Sequence, residues 1–363
     1  MQAAGARARA RVLPRGPILC FARLLGLAGF FAICANFFSS AAIASGNYVI
    51  DDVAPYTSST LGDCHYPLGR ARINADGLVT GTWQDSTDYV DRAFVYDTSL
   101  ITIGYGTGGG INSSGVVTGY MYFDPDEGLI PPGAFRYSAG TITNLGFPSP
   151  DADYPYSVGK DINDSGVIAG DASPTNYPPT HAFKWDGEWH DLGVLDDDTY
   201  SESRAINSSG TVVGWSGPNW APAGHAFRYS DSSMTSLPTL GGEWNEANDI
   251  NDAGAVVGCS DTSDGRQHGF LLRNGQLIDL TPGATRGEAL AINKFNEIVG
   301  TADGRAFLYI YSQYRSAYFD LTDLVDPAFG WTLTEAHDIN ARGGNRRDWN
   351  PQRCDASVSA SSE

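Results

Sequence analysis

The chain has 363 residues, 42 Asp and Glu against 23 Lys and Arg, and a net charge of −19. That acidity sets nucleic acid aside as a partner, and 12% aromatic with only 18% charged residues is not the composition of a disordered chain. Forty-three glycines with many Thr, Val, Tyr and Trp favour strands and tight turns, at a length that suits one large domain or two ordinary ones.

Residues 1–44 read as a secretory leader. Arg7, Arg9, Arg11 and Arg15 form a basic start, Leu24 to Phe38 is apolar and uncharged, and Ala42-Ile43-Ala44 places small residues where a signal peptidase reads. Cleavage is expected after Ala44, giving an extracellular or periplasmic protein. Membrane contact is expected only through this segment, if it stays uncleaved. Loss of its five arginines (Arg23 is the fifth) takes the charge from −19 to near −24. Cys64, Cys259 and Cys354 then remain, an odd and widely spaced set that makes neither a disulfide framework nor a zinc site.

From Ile73 onward the chain is a repeat. INADGLVTG, INSSGVVTG, INDSGVIAG, INSSGTVVG, INDAGAVVG and INKFNEIVG begin at Ile73, Ile111, Ile162, Ile206, Ile250 and Ile292. Asn74, Asn112, Asn163, Asn207, Asn251 and Asn293 each precede a glycine by seven residues: Gly81, Gly119, Gly170, Gly214, Gly258 and Gly300. A seventh copy starts at Ile339-Asn340 and breaks off after Gly343. The Asn-to-Asn steps are 38, 51, 44, 44, 42 and 47 residues. A second motif lies between the copies: RAFVY at Arg92, GAFRY at Gly133, HAFKW at His181, HAFRY at His225, HGFLL at His268 and RAFLY at Arg305. A third, seen in TNLGF, HDLGV and PTLGG, follows it.

Asn-x-x-Gly joins two short strands: Asn bonds its own backbone, and Gly takes the positive-φ position, which Asn296 fills in the sixth copy. The AF run and the Leu-Gly run supply two more strands. Four short strands per unit of ~44 residues is the size of a propeller blade. The predicted fold is all-β, a β-propeller of seven blades over residues 45–343 with the last incomplete. The hairpin is constant and both connections vary in length, so binding is expected at the connections.

These motifs resemble the HAF-repeat family of extracellular bacterial proteins, over nearly all of Tyr48 to Gly343. The resemblance implies export and assigns no activity.

Residues 344–363 carry an arginine cluster and no strand pattern, the mark of a disordered tail. They also admit a sharper reading. With one permissive choice of codons from Gly343, deletion of a single G restores GEIVGTGTHRGAMQAFLL, which completes the seventh hairpin and adds a seventh AF motif. A one-base insertion is the hypothesis, and the gene's nucleotide sequence tests it. On this reading Tyr48 to Val53 starts the chain in mid-unit and shares a blade with the restored AFLL, and the chain as written risks being a non-functional copy.

Among residues that could carry chemistry, Asp161, Asp249 and Asp338 each precede Ile-Asn and alternate with the buried Ile, so they could line a central channel. Channel carboxylates could perform acid–base work on a sugar, which makes a secreted carbohydrate-active enzyme the alternative function. Solvated or turn-bonding aspartates explain them as well. Trp215, Trp220 and Trp244 lie in or beside variable connections, as do Tyr154, Tyr156 and Tyr177, and exposed rings there could stack on sugars. Blade packing is the plainer use of aromatics. His181, His225 and His268 share one slot with Arg92, Gly133 and Arg305, so a structural role outweighs a metal. Asp161 to Gly166 resembles half a calcium loop but has Ala172 where the bidentate Glu belongs. GTGGG at Gly106 to Gly110 precedes a strand, not the helix a phosphate loop needs. The reading is an exported binding or scaffold module for an extracellular glycan or protein, with no cofactor or metal, expected as a monomer.

Overall fold

The computed structural model describes residues 70–84, 90–97, 99–122, 132–151, 155–174, 179–218, 224–312, 314–324 and 331–341, with the strands Leu19–Phe21, Ile50–Asp51 and Ala356–Ser362. The protein is a seven-bladed β-propeller. Blades 3 to 6 are separate four-stranded antiparallel sheets whose inner strands are Ser157–Ile162, Tyr200–Ile206, Gly241–Ile250 and Gly287–Ile292. Blades 1 and 2 are fused through Leu100–Ile111, which is the outer strand of blade 1 up to Tyr105 and the inner strand of blade 2 from Gly106. Gly106 makes this join possible. Its φ is +150°, and a Cβ there would lie 2.1 Å from the Tyr120 carbonyl oxygen. The short 38-residue first repeat is this missing connection. GTGGG is accordingly strand.

The sequence motifs take the places expected of them. Each inner strand ends at Asn-x-x-Gly, where the Asn side chain accepts two main-chain amides, as Asn163 does from Ser165 (3.1 Å) and Val167 (3.0 Å). Gly77, Gly115, Gly166, Gly210, Gly254 and Asn296 have positive φ. The glycine seven residues after Asn serves a different end. A Cβ on Gly119, Gly170, Gly214, Gly258 or Gly300 would meet an inner-strand carbonyl oxygen at 1.9–2.2 Å. These glycines face a bulge that recurs in the inner strands, as between Ser203 and Ala205 and between Ala247 and Asp249.

Six of the seven buried clusters join neighbouring blades, as Ala182 and Leu192 of blade 3 pack with Ile206, Val212 and Phe227 of blade 4; the seventh, Ile73, Val79 and Phe94, lies within blade 1. Phe135, Phe183, Phe227, Phe270 and Phe307 of the AF motif are among the largest side chains buried here. The amides of Leu145, Leu192, Leu237, Leu280 and Leu321 bond the second residue of the AF motif of their own blade. Stacking of this kind is why a single unit could not fold alone.

Blade 7 has Trp331–Ile339 as its inner strand. Ala356–Ser362 pairs antiparallel with it, followed outward by Leu19–Phe21 and Ile50–Asp51. The strand at 356–362 departs from the strandless tail of the sequence reading. The edge of Trp331–Ile339 has unpaired main-chain groups, and a run of small residues can satisfy them whatever its side chains. Ile50–Asp51 holds the outermost place, where Tyr48 to Val53 is expected. Leu19–Phe21, from the segment read as a leader, holds the third place, which is that of the seventh AF strand. The rest of the leader and residues 342–355 lie outside the described residues.

Antiparallel pairing puts the Asn-x-x-Gly turns on one face of the ring. The connections from second to third strand, and from each outer strand to the next blade, leave from the opposite face. Both kinds of variable connection therefore share one face, here the loop face.

Candidate functional site: the hub and the loop face

Seven asparagines close a circle around the hub. The Nδ2 of Asn74, Asn112, Asn163, Asn207, Asn251 and Asn293 each donates to the carbonyl oxygen of the next repeat's Asn, at 2.9–3.3 Å. Asn340 returns the last bond to the Asn74 carbonyl at 2.9 Å, between residues 266 apart. The repeat Asn is thus a turn former and a rung between blades.

The three aspartates form the next tier. Asp161 accepts the amide of Ile162 (2.9 Å) and that of Ile206 on the next blade (3.0 Å). Asp249 bonds Ile250 and Ile292, both at 2.8 Å, and Asp338 bonds Ile339 and Ile73, both at 2.8 Å. They staple blade 3 to 4, 5 to 6 and 7 to 1. Seven is odd, so blade 2 is left over; its slot holds Gly110, where a Cβ would lie 2.7 Å from Asp161 Oδ1. Arg72 extends from blade 1 among the three carboxylates and reaches the Arg204 carbonyl of blade 4 at 3.5 Å, so it crosses the hub.

Burial raises the pKa of all three aspartates against the pull of Arg72, and Asp249 is pushed up to about 7. Arg72 itself stays above its usual value: burial lowers it, and Asp338, Asp161 and Asp249 more than compensate. Acid–base work on a sugar needs a carboxylate open to a cleft. Here each carboxylate oxygen already holds a main-chain N–H in a hub that Arg72 crosses.

A second tier lies toward the loop face, and the sequence reading missed it. Glu202, Glu246, Glu288 and Glu335 sit on blades 4 to 7, each four residues before the repeat Ile. The recurring E-x-x-x-I-N was the available signal. Arg204 bonds Glu246 of the next blade and lies 3.1 Å from Glu202. Arg70 crosses from blade 1 to Glu288 at 3.0 Å and to Asn248 at 3.2 Å. Lys160 pairs with Asp171 at 3.1 Å. His337, beside Glu335, is held neutral by burial and by Arg70 and Arg72, its pKa lowered to about 3.

The predicted aromatic residues are scattered. Trp215 is only 9% exposed, on a blade 4 strand against Gly224; a buried ring cannot stack on a ligand, so this candidate is corrected to packing. Trp244 is half-buried, and Trp220 and Tyr154 lie outside the described residues. Tyr156 is half-buried and belongs to a cluster on the loop face of blades 1 to 3. Its ring centroid is 6.4 Å from that of Tyr120, which is 5.5 Å from Tyr122 in edge-to-face geometry. The Tyr122 amide bonds the Tyr105 carbonyl at 2.9 Å. The Arg92 guanidinium lies over Trp83 at 5.1 Å and over Tyr105 at 5.3 Å. Tyr122 is 50% exposed and Tyr105 42%. Burial and Tyr122 push the Tyr120 hydroxyl up to about 12.

Two of the AF-motif histidines are tied to the outer strand of their own blade. His181 pairs with Asp191 at 2.9 Å and His268 with Asp279 at 2.8 Å, and Arg305 meets Asp320 in the same way. Among the described residues no three His, Cys, Asp or Glu converge as metal ligands do. Cys259 is a buried thiol whose pKa burial raises well above the usual value. No helix among the described residues is long and apolar enough to cross a membrane.

No protein-family model matches the chain, and no curated protein matches it. Solved structures do resemble it. TolB from Acinetobacter baumannii is 14% identical over 65% of this chain, with a TM-score of 0.44, and the chain spans 61% of that protein. The β-propeller domain of the Trilobed protease from Pyrococcus furiosus is 13% identical over 71% of this chain and 82% of its own, with a TM-score of 0.45. A lectin from Aleuria aurantia is 9% identical over 70% of this chain and 96% of its own, with a TM-score of 0.37. At these identities the likeness is one of fold alone.

Proposed function

We propose that this is an exported glycan-binding module of the HAF-repeat type, which uses its ring as a rigid scaffold and the loop face of blades 1 to 3 as its contact surface. The supporting observation is the aromatic cluster. Tyr105 and Tyr122 are exposed beside Tyr120, Tyr156, Trp83 and Arg92, whose guanidinium lies over the Tyr105 ring. Each comes from a strand end, so the backbone fixes them before a ligand arrives. Sugars present apolar C–H faces and polar rims, which suits tyrosine rings that carry a hydroxyl. The basic start and apolar run of residues 1–44 support export; cleavage after Ala44 would remove Leu19–Phe21 and leave its place in blade 7 open.

Titration with hexamers of glucose and of N-acetylglucosamine tests the proposal. Binding is expected to one or both. Tyr122→Ala is expected to weaken it about tenfold, the scale of one lost aromatic contact, with the unfolding midpoint unchanged because that ring is exposed. Equal affinity in wild type and Tyr122→Ala would overturn the assignment of this surface.

A further inference from the structure

The loop face is electrically lopsided. The aromatic surface covers blades 1 to 3, and the glutamate arc covers blades 4 to 7. In the glutamate tier five carboxylates (Glu202, Glu246, Glu288, Glu335 and Asp171) face four cations (Arg70, Arg204, Arg286 and Lys160). Beneath them three aspartates face Arg72 alone. The hub therefore carries more carboxylate than cation in both tiers. Glu335 is the least compensated member: its ion-pair contact among the described residues is His337, at 3.8 Å and held neutral, and burial raises its pKa against the longer-range pull of Arg70 and Arg286.

A second observation marks the junction of the two halves. Thr107 occupies the glutamate slot on blade 2. It pairs with Tyr120 just as Glu202 pairs with Trp215, Glu246 with Cys259 and Glu288 with Thr301, so its side chain is turned the same way. It is 8% exposed, and among the described residues its Oγ1 has no hydrogen-bond partner. A buried hydroxyl without a partner is costly unless something else meets it. This one lies between the tyrosine cluster and the hub.

We propose that the mouth of the hub is a subsite for a protonated amine, and that the glycan held on the aromatic half is one that bears free amino groups. The proposal rests on the glycan reading and adds the charge of the ligand to it. Excess carboxylate in a partly desolvated mouth attracts an ammonium strongly. Thr107 can accept one of its N–H bonds, and Glu335 can supply the counter-charge. No three of the carboxylates converge for a metal ion, and an ammonium carried on a sugar does not need them to.

The test compares hexamers of glucosamine, N-acetylglucosamine and glucose, with hexalysine as the peptide control, on the full chain by calorimetry. The glucosamine hexamer is expected to bind at least about tenfold more tightly than the acetylated one, the size of a charged hydrogen bond, with a preference that shrinks as salt is added. Glu335→Gln should remove that preference and leave the acetylated hexamer within about twofold. Thr107→Val gives a second variant that changes no charge and should reduce the same preference. Equal binding of the acetylated and amino hexamers overturns the subsite and leaves the glycan reading standing. Binding of none of the sugars, or of hexalysine alone, overturns both.

Discussion

Replacing Asp338 by Ala separates the two roles a hub carboxylate could have. A solvated or catalytic aspartate contributes little to stability, and its removal is often neutral or better. A staple contributes a great deal. Asp338 holds the amides of Ile339 and Ile73 at 2.8 Å each, and these join blade 7 to blade 1 across 265 residues of chain. A hydrogen bond to a charged group contributes about 1.5–3 kcal/mol, so two sum to about 3–6 kcal/mol. Relief from burying the carboxylate offsets part of this, since burial already raises its pKa. The net expectation is about 3 kcal/mol, enough to remove a large share of a typical folding free energy. Urea unfolding followed by tryptophan fluorescence measures it, with the m-value checked for constancy. A loss below about 0.5 kcal/mol, the usual range for surface changes, would refute the staple and return Asp338 to the pool of residues free for chemistry.

Two further outcomes follow from the same geometry. Gly214→Ala should cost about 3 kcal/mol or prevent folding, because its Cβ would lie 1.9 Å from the Glu202 carbonyl oxygen; Gly210→Ala, with open space but φ of +80°, should cost only about 1 kcal/mol in thermal unfolding, and the reverse order would refute the distinction. Asp249 has a folded pKa of about 7 against about 3.9 for a free Asp, so the folded state binds the extra proton. Its contribution is fully present below pH of about 4 and is lost as pH rises through about 7. Calorimetry from pH 5 to 8 should therefore show wild type losing stability relative to Asp249→Asn as pH rises, and parallel profiles would refute it.

Much of the fold was legible because a repeat reports itself. Asn-x-x-Gly spaced seven residues from a second glycine fixes strand, turn and strand, and the AF run fixes the third. Even the odd 38-residue step had a physical meaning, the join at Gly106. The same averaging hid the hub. Periodicity shows Asn74 to Asn340 as turn residues, since the turn lies within each copy, whereas the rung each makes joins two copies. Asp161, Asp249 and Asp338 appeared on alternate blades, but only the closed ring shows each bonding the next blade, and shows Arg72 reaching into electrostatic range of all three. The E-x-x-x-I-N tier was readable and was obscured by the variable residues around it.

Of the aromatic surface, Tyr156 was legible in the sequence and its partners were not. Trp215 lies beside a variable connection and is buried; Tyr105 comes from blade 1, Tyr120 and Tyr122 from one strand end of blade 2 and Tyr156 from blade 3, and only the stacking of neighbouring blades brings them to one face. The sequence by itself determined the unit, its number and its turns, because those depend on residues within about ten positions of each other. Which side chains share the hub, and which rings meet at the loop face, depends on contacts between blades that lie tens to hundreds of residues apart, and those the tertiary structure decided.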